Sequence, residues 1–263
     1  MVAFTSTQRE HIVEAVQAMY TDVARAPRRG YHFPVGREAC LVLGYLAAWL
    51  DSIPPTAVES FVGVACPVQD DLFQPAETVL DIGAGSGTDT LIAALRVGEQ
   101  GQVYSLDITE AMLAKLADNV KALGIHNVQC LCGDVENIPL PDHSVDVIIS
   151  NGVLNLVYDK PRAFAELWRV LRPGGRISIA DISVNKDLEI LQEIKGYPRL
   201  WAECVAGAIS DDDYLRTLES AGFRDLGIID QLDYFSHSSS DSTRQIARNF
   251  GAHSIVLRGH KPT

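Results

Sequence analysis

Three glycines and one aspartate stand at a spacing that could hold a ribose-containing ligand. Gly83, Gly85 and Gly87 follow the apolar run TVLDI (78–82) and precede a helical pattern. Glycine permits a tight turn and lets a ligand lie against the backbone, while the helix start offers free amide donors. Asp107 ends the next apolar run, about 20 residues further on, where a carboxylate can accept bonds from both ribose hydroxyls. A helix cap is the alternative interpretation of Asp107.

Strands and helices alternate through the part of the chain that must position these residues. Helical patterns separate five short apolar runs, and a parallel sheet covered on both faces follows from that order. Two later runs, near 227–234 and 253–258, could add the last strands, so we expect a mostly parallel α/β sheet of seven strands. The five runs are TVLDI, QVYSLDI, VQCLCGD, VDVIISN and RISIADI.

The chain outside this core predicts a cover and an extension. Residues 1–73 contain an amphipathic segment at about 7–24 and several proline turns, which favours an amino-terminal helical lid on the substrate side. Residues 74–263 are expected to form the ligand-binding domain with a carboxy-terminal extension.

The composition of the chain argues against several classes of function. A formal net charge of -12 argues against a nucleic-acid partner, because phosphate binding needs a concentrated basic surface. No stretch is apolar enough to span a membrane. Seven histidines and five cysteines show neither metal-ligand spacing nor a CxxC pair, so we expect no metal and reduced thiols in a cytoplasmic protein.

Two further motifs resemble the class I S-adenosylmethionine-dependent methyltransferases. One is CGDVENIPLPDHSVDVIISN, with an acid ending the third strand; the other is ELWRVLRPGGRISIADI, with Pro-Gly-Gly before the fifth strand. The resemblance covers roughly residues 75–182 and implies a Rossmann-like fold with S-adenosylmethionine as cofactor. It also implies that Asp134 accepts from the adenine amine, while Val135 packs on the ring. The expected cofactor contacts are Tyr20, Asp81, Gly83, Ala84, Gly85, Gly87, Asp107, Ile108, Met112, Gly133, Asp134, Val135 and Asn151.

Three further stretches, two of them outside that core, resemble the arsenite methyltransferases. They are ESFVGVACP, SNGVLNLVYDKPRAFAELWRVLRPGG and WAECVAGAISDDDYLRTLESAGF. In that family, thiolates hold trivalent arsenic, as expected for a soft, thiophilic element. Two of the family's cysteine positions are Gly152 and, at about the matching place, Val64 in this chain. Cys204 matches the family, and Cys66 lies two positions beyond Val64, so Cys66, Cys204 and Asn151 are the expected substrate-side residues.

Several functions stay open at this stage. The methyl acceptor has two alternatives. It is trivalent arsenic or a similar thiophilic species, or it is a small organic nucleophile bound in an apolar pocket. A nicotinamide-dependent reductase would use a similar glycine turn but ordinarily needs a Tyr-x-x-x-Lys relay, which we do not find. A non-catalytic cofactor-binding protein is the remaining alternative.

Overall fold

A computed structural model describes residues 6–31, 33–185, 207–238 and 240–263. Its centre is an eight-stranded sheet with the order β3-β2-β1-β4-β5-β8-β7, and β6 pairs with β5. Strands β1 to β6 pair in parallel with one another, whereas β8 runs antiparallel between β5 and β7. The strands are β1 Thr78–Ile82, β2 Gln102–Asp107, β3 Val128–Cys132, β4 Val145–Asn151, β5 Leu171–Val184, β6 Ile209–Ser210, β7 Arg224–Leu232 and β8 His253–His260.

Helices cover both faces of the sheet. The described helices are α1 Ser6–Arg25, α2 Arg37–Val42, α3 Ala47–Asp51, α4 Pro55–Glu59, α5 Thr88–Val97, α6 Glu110–Leu123, α7 Lys160–Val170, α8 Asp211–Ala221 and α9 Asp241–Phe250. Two 3-10 turns, Val135–Asn137 and Leu154–Leu156, follow β3 and β4.

Alternation along the central strands divides the core between the two faces. Val79 of β1 belongs to an apolar cluster with α5, α6 and the segment 39–73. Leu80 and Ile82 point to the other face, where they join the cluster that contains Phe164 of α7 and Tyr214 of α8. Both faces of β1 are therefore buried, as expected for the central strand of a parallel sheet.

The strand order fixes where a ligand can bind. β1 pairs with β2 on one side and with β4 on the other, so the connections leave the sheet in opposite directions at this point. The crevice outside the carboxyl ends of β1, β2 and β4 is the usual binding position in such sheets. Gly83, Asp107 and Asn151 all lie at these strand ends.

The α/β class and its mostly parallel sheet are confirmed, with corrections in detail. β5 begins at Leu171 rather than at 176, because the chain around Pro173-Gly174-Gly175 continues to pair: the Gly174 amide donates to the Lys261 carbonyl (2.8 Å). The short strand β6 was not expected from the sequence. Among the described residues, no helix is both long and apolar enough to span a membrane.

Candidate active site

Glycine shapes the turn after β1. Gly83, Gly85 and Gly87 have φ angles of 69°, 53° and 99°, in the left-handed region that favours glycine. The Gly83 amide donates to the carbonyl of Leu106 in β2 (2.7 Å), which fixes the turn against the neighbouring strand. A Cβ on Gly83 would overlap the side chain of Val153. Backbone conformation and close contact therefore both require glycine at this position.

Asp107 lies at the end of β2 and faces the glycine turn. Its Oδ2 accepts from the Gly85 amide (2.8 Å), and its Oδ1 accepts from the Thr109 amide (2.7 Å). Burial raises the pKa of Asp107, and the two amide bonds oppose that rise. Each carboxylate oxygen keeps a second lone pair, so both can still accept from a ligand hydroxyl. The bond to Thr109 also holds the start of α6, so ligand binding and helix capping are compatible.

The turn after β3 forms the far end of the same cleft. Gly133, Asp134 and Val135 line it together with Ile108 and Met112. The Asp134 Oδ1 accepts from the Glu136 amide (2.9 Å), which fixes the carboxylate at the start of a 3-10 turn. Apolar Val135, Ile108 and Met112 beside one fixed acceptor suit a flat aromatic ring with an exocyclic amine.

Helix α1 lies over this cleft. Ile12, Val16 and Tyr20 are among the residues that line it. The Gln17 Nε2 donates to the carbonyl of Ile108 (2.8 Å), which ties the middle of α1 to the end of β2. Tyr20 therefore lies beside the cleft, and its contact with the cofactor stays a prediction.

An ion pair that the sequence reasoning missed holds the amino-terminal part of α1. The Arg9 Nη2 lies 2.6 Å from the Asp134 Oδ2 and 2.9 Å from the Glu136 Oε2. Arg9 and these acids are more than a hundred positions apart in sequence, and no local pattern indicates their contact. Glu136 also lines the cleft.

Asn151, at the end of β4, ties the segment 62–66 to the sheet. Its Oδ1 accepts from the Val64 amide (2.8 Å). Its Nδ2 lies 2.9 Å from both the Ala65 carbonyl and the Tyr45 hydroxyl, and 3.0 Å from the Asp89 Oδ2. Asn151 lines the cleft, but its amide is already engaged. These bonds therefore favour a role for Asn151 in fixing the segment 62–66 as a wall of the cleft, in addition to any contact with a ligand.

Asp89 is a second residue that the sequence reasoning missed. It lies near the start of α5, lines the cleft and is 6% exposed. Burial raises its pKa to about 6, although the Tyr45 and Asn151 bonds oppose the rise. The Tyr45 hydroxyl donates to its Oδ1 (2.5 Å). A buried carboxylate held by neutral donors gives this end of the cleft a site for positive charge.

Asp81 was expected to contact the cofactor, but the structure places it beneath the glycine turn. It is 2% exposed, and the Thr90 hydroxyl donates to its Oδ2 (2.6 Å). Burial and the nearby Asp89 raise its pKa well above the usual value. Asp81 does not line the described part of the cleft. Its contacts within the protein support the turn from below.

Only one of the two expected thiolates, Cys66, lies among the described residues. Cys204 lies outside the described residues. Cys66 is buried, its thiol donates to the Val68 carbonyl (3.5 Å), and burial raises its pKa. Among the described residues that line the cleft, none is a cysteine. The two-residue shift from Val64 to Cys66 therefore takes this thiol behind the cleft wall.

Val64 and Gly152, where the resemblance would place cysteines, are neighbours in space. A Cβ on Gly152 would lie 3.2 Å from the Val64 Cγ1. Gly152 has a φ of 71° and lines the cleft beside Asn151. An apolar contact thus occupies the position where the resemblance implies two thiols.

Fold and site together define the class of protein. A glycine turn after β1, an acid at the end of β2 and a covered cleft of about 1110 Å³, counting the part open to solvent, meet at the switch point of the sheet, where such folds bind nucleosides. A family model described as a methyltransferase domain matches residues 73–222, more than half of the chain. The chain belongs to this methyltransferase-domain family and is similar to the arsenite methyltransferases. Membership of this family argues against the nicotinamide-dependent reductase.

The names of the individual relatives indicate two different kinds of reaction. An arsenite methyltransferase of Halobacterium salinarum is 38% identical over 183 residues, which is 69% of this chain and 46% of that protein. The ubiquinone/menaquinone biosynthesis C-methyltransferase UbiE of Cupriavidus necator is 31% identical over 67% of this chain and 77% of that protein. The crystal structure of an arsenic(III) S-adenosylmethionine methyltransferase from Chlamydomonas reinhardtii matches with a TM-score of 0.71 and 32% identity, over 82% of this chain and 73% of that one. The chain spans about half the length of the curated arsenite methyltransferases that it matches.

The residues of the cleft fit the family's cofactor. Asp107 offers two acceptor oxygens for ribose hydroxyls, and Gly83 leaves space that a Cβ would fill. Asp134 and Val135 offer an acceptor and an apolar surface for adenine. Asp89 supplies buried negative charge for a cation. The cleft residues are thus compatible with the methyl donor, and none of these contacts concerns the acceptor.

Proposed function

We propose that this protein transfers a methyl group from S-adenosylmethionine to trivalent arsenic or a similarly thiophilic acceptor. The support is the similarity to arsenite methyltransferases over more than two thirds of the chain, together with a cleft that continues past Asn151 along Gly152, Val153 and Leu156. Because Val64 and Gly152 supply no thiol, we infer that the acceptor arrives already bound to small-molecule thiols such as glutathione.

The chain's residues contribute alignment rather than proton transfer. When bound, the cofactor supplies an activated methyl group on a positively charged sulfur. Asp107 and the glycine turn orient the sugar, and Asp134 with Val135 orients the base. Helix α1 excludes water from above, which strengthens the field of Asp89 within the cleft. Holding donor and acceptor in one geometry removes much of the entropic barrier to such a transfer.

A small organic acceptor is the second candidate, favoured by a specific observation. The wall beyond Asn151 is apolar, with Val153, Leu156 and Val157 lining it and Val64 packed behind Gly152. Such a wall suits a hydrophobic molecule that presents an oxygen, nitrogen, sulfur or carbon nucleophile. The similarity to the UbiE enzyme also supports this candidate.

One set of assays distinguishes the two acceptors. The protein is incubated with methyl-labelled S-adenosylmethionine and either arsenite with glutathione or a panel of small phenols, quinols and thiols. Labelled methylarsenicals would support the first proposal, and label only in an organic product would replace it with the second. Cys66→Ser should leave arsenic methylation unchanged, because this thiol lies behind the wall; Cys204→Ser tests the thiol outside the described residues. The cytoplasmic location and the lack of a nucleic-acid partner stay predictions.

A further inference from the structure

Glu136 joins three elements around the cleft through one buried side chain. It is 5% exposed. Its Oε2 accepts from Arg9 of α1 (2.9 Å), and its Oε1 accepts from the Asp159 amide at the start of α7 (3.1 Å). Its own amide donates to Asp134 in the turn after β3 (2.9 Å). A buried carboxylate needs such partners, because losing one leaves its charge uncompensated.

The Asp159 end of this network belongs to the loop on the acceptor side. That loop, residues 152–158, follows Asn151 and ends at the amide that Glu136 holds. Leu156 and Tyr158 of the loop pack against Ile12 and Val16 of α1. Helix α1 therefore rests on both ends of the cleft: the adenine turn through Arg9, and the acceptor loop through apolar contacts.

Few buried apolar residues and few polar bonds attach α1 to the rest of the protein, given the length of this helix. Its buried apolar residues among those described are Ile12, Val16 and Val23. Its polar ties include the Arg9 ion pair and the Gln17 bond to Ile108. A helix held by few contacts can open locally at modest cost. Such opening would break the Arg9–Glu136 contact and the packing on the acceptor loop together.

We propose that Arg9 and Glu136 are positioning residues that couple occupancy of the adenosine end of the cleft to the position of the acceptor loop 152–158. The proposal rests on the proposed function only in taking this loop as the acceptor side. A nucleoside beneath α1 stabilises the closed helix. The closed helix then holds Glu136, and through it the Asp159 amide. The expected consequence is that the donor binds before the acceptor.

The test compares two arginine variants of α1. Arg9→Met removes the guanidinium but keeps an unbranched apolar stem, while Arg25→Met makes the same change at an exposed position of the same helix. S-adenosylhomocysteine is titrated by calorimetry, and amide hydrogen exchange is measured with and without it. In the wild type and in Arg25→Met, the ligand should slow exchange in α1 and in residues 152–158. In Arg9→Met, affinity should fall about three- to thirtyfold, and loop protection should be lost.

A second variant keeps the test decisive if Arg9→Met is poorly folded. Glu136→Gln retains an acceptor for the Asp159 amide but removes the charge that faces Arg9, so it too should uncouple the loop from the ligand. Arg9→Lys should restore part of the protection, since the charge returns without the planar guanidinium. Retained loop protection in both Arg9→Met and Glu136→Gln would overturn the proposal. So would loop exchange in the wild type that is equally slow with and without ligand, since that indicates a purely structural role for the Arg9–Glu136 contact.

No acceptor enters this experiment, so the two proposals fail separately. Absence of arsenic methylation leaves the coupling result intact. Normal arsenic methylation with wild-type loop protection in both variants would overturn the coupling while leaving the proposed function in place.

Discussion

Replacing Asp107 tests the assignment of the cofactor site most directly. Its carboxylate is half-buried at the end of β2, with one oxygen on the Gly85 amide and the other on the Thr109 amide. Asp107→Ala removes the acceptors for both ribose hydroxyls. A hydrogen bond to a charged group contributes about 1.5 to 3 kcal/mol. Two such bonds, with part of the loss recovered by water, correspond to about 3 to 4 kcal/mol, or a 100- to 1000-fold weaker complex.

The assay is calorimetric titration of S-adenosylhomocysteine into wild type, Asp107→Ala and Asp107→Asn. The asparagine turns an NH₂ group towards either the Gly85 or the Thr109 amide, so donor faces donor and part of the turn is lost with the charge. Glu110→Gln is the matched control, because it removes a negative charge three positions away at an exposed site. Unfolding in denaturant without ligand separates loss of binding from loss of fold.

A particular result would refute this reasoning. If Asp107→Ala binds S-adenosylhomocysteine within threefold of the wild type while remaining folded, the carboxylate does not hold the sugar. Equal weakening by Glu110→Gln would show that the acid acts only through long-range charge. Either outcome removes the basis for placing the nucleoside between the glycine turn and β2.

Three further predictions follow from the same structure. Gly83→Ala should lower the free energy of unfolding by about 2 to 4 kcal/mol in denaturant titration. Gly98→Ala should lower it by only about 1 kcal/mol, because Gly98 has a similar φ of 71° but no atom within 4 Å of the added Cβ. Equal losses in the two variants would contradict the overlap with Val153. Val64→Cys combined with Gly152→Cys should bind phenylarsine oxide more tightly than the wild type in calorimetry, and unchanged affinity would show that the two positions cannot form a thiol pair. Burial raises the pKa of Asp89 to about 6, so its contribution to stability is present below about pH 4 and is lost as the pH rises through 6. The free energy of unfolding of the wild type relative to Asp89→Asn should therefore fall by up to about 3 kcal/mol between pH 4 and 7. A difference that does not change with pH in urea unfolding would contradict the buried state of this acid.

The donor side of the site was predictable from sequence because its signals are local. The glycine turn, Asp107 and Asp134 each stand at the end of a strand whose apolar run is visible in the chain. Strand order then brings these ends together without further information. Met112 follows from the helix after β2, Tyr20 was expected from the family resemblance, and both line the cleft.

The residues missed by sequence reasoning depend on contacts between distant segments. Arg9 meets Asp134 and Glu136 only after α1 folds across the sheet. Asp89 looks like an ordinary acid in the first turn of α5, and its significance arises from burial with Tyr45 and Asn151. Spacing along the chain carries no information about either contact.

Cys66 shows how a two-residue offset changes chemistry. The segment 62–66 is pinned to Asn151 through the Val64 amide and the Ala65 carbonyl. With these backbone groups fixed, Val64 faces Gly152, and Cys66 turns to the Val68 carbonyl inside the core. A loop free to slide could have exchanged the two side chains, but Asn151 prevents this.

Donor and acceptor recognition are therefore separable within this fold. The proposed donor contacts come from strand ends and from a turn in which a Cβ on Gly83 would overlap Val153, so a change there is expected to affect the fold as well as binding. The acceptor wall comes from loop side chains, and Val64 with Gly152 makes an apolar contact that side-chain replacement can alter without moving the sheet. One element, α1, touches both regions. Replacement of side chains in the acceptor wall is expected to change which acceptor binds. The order in which donor and acceptor bind should stay the same, because that order depends on α1 and Glu136 and not on the wall.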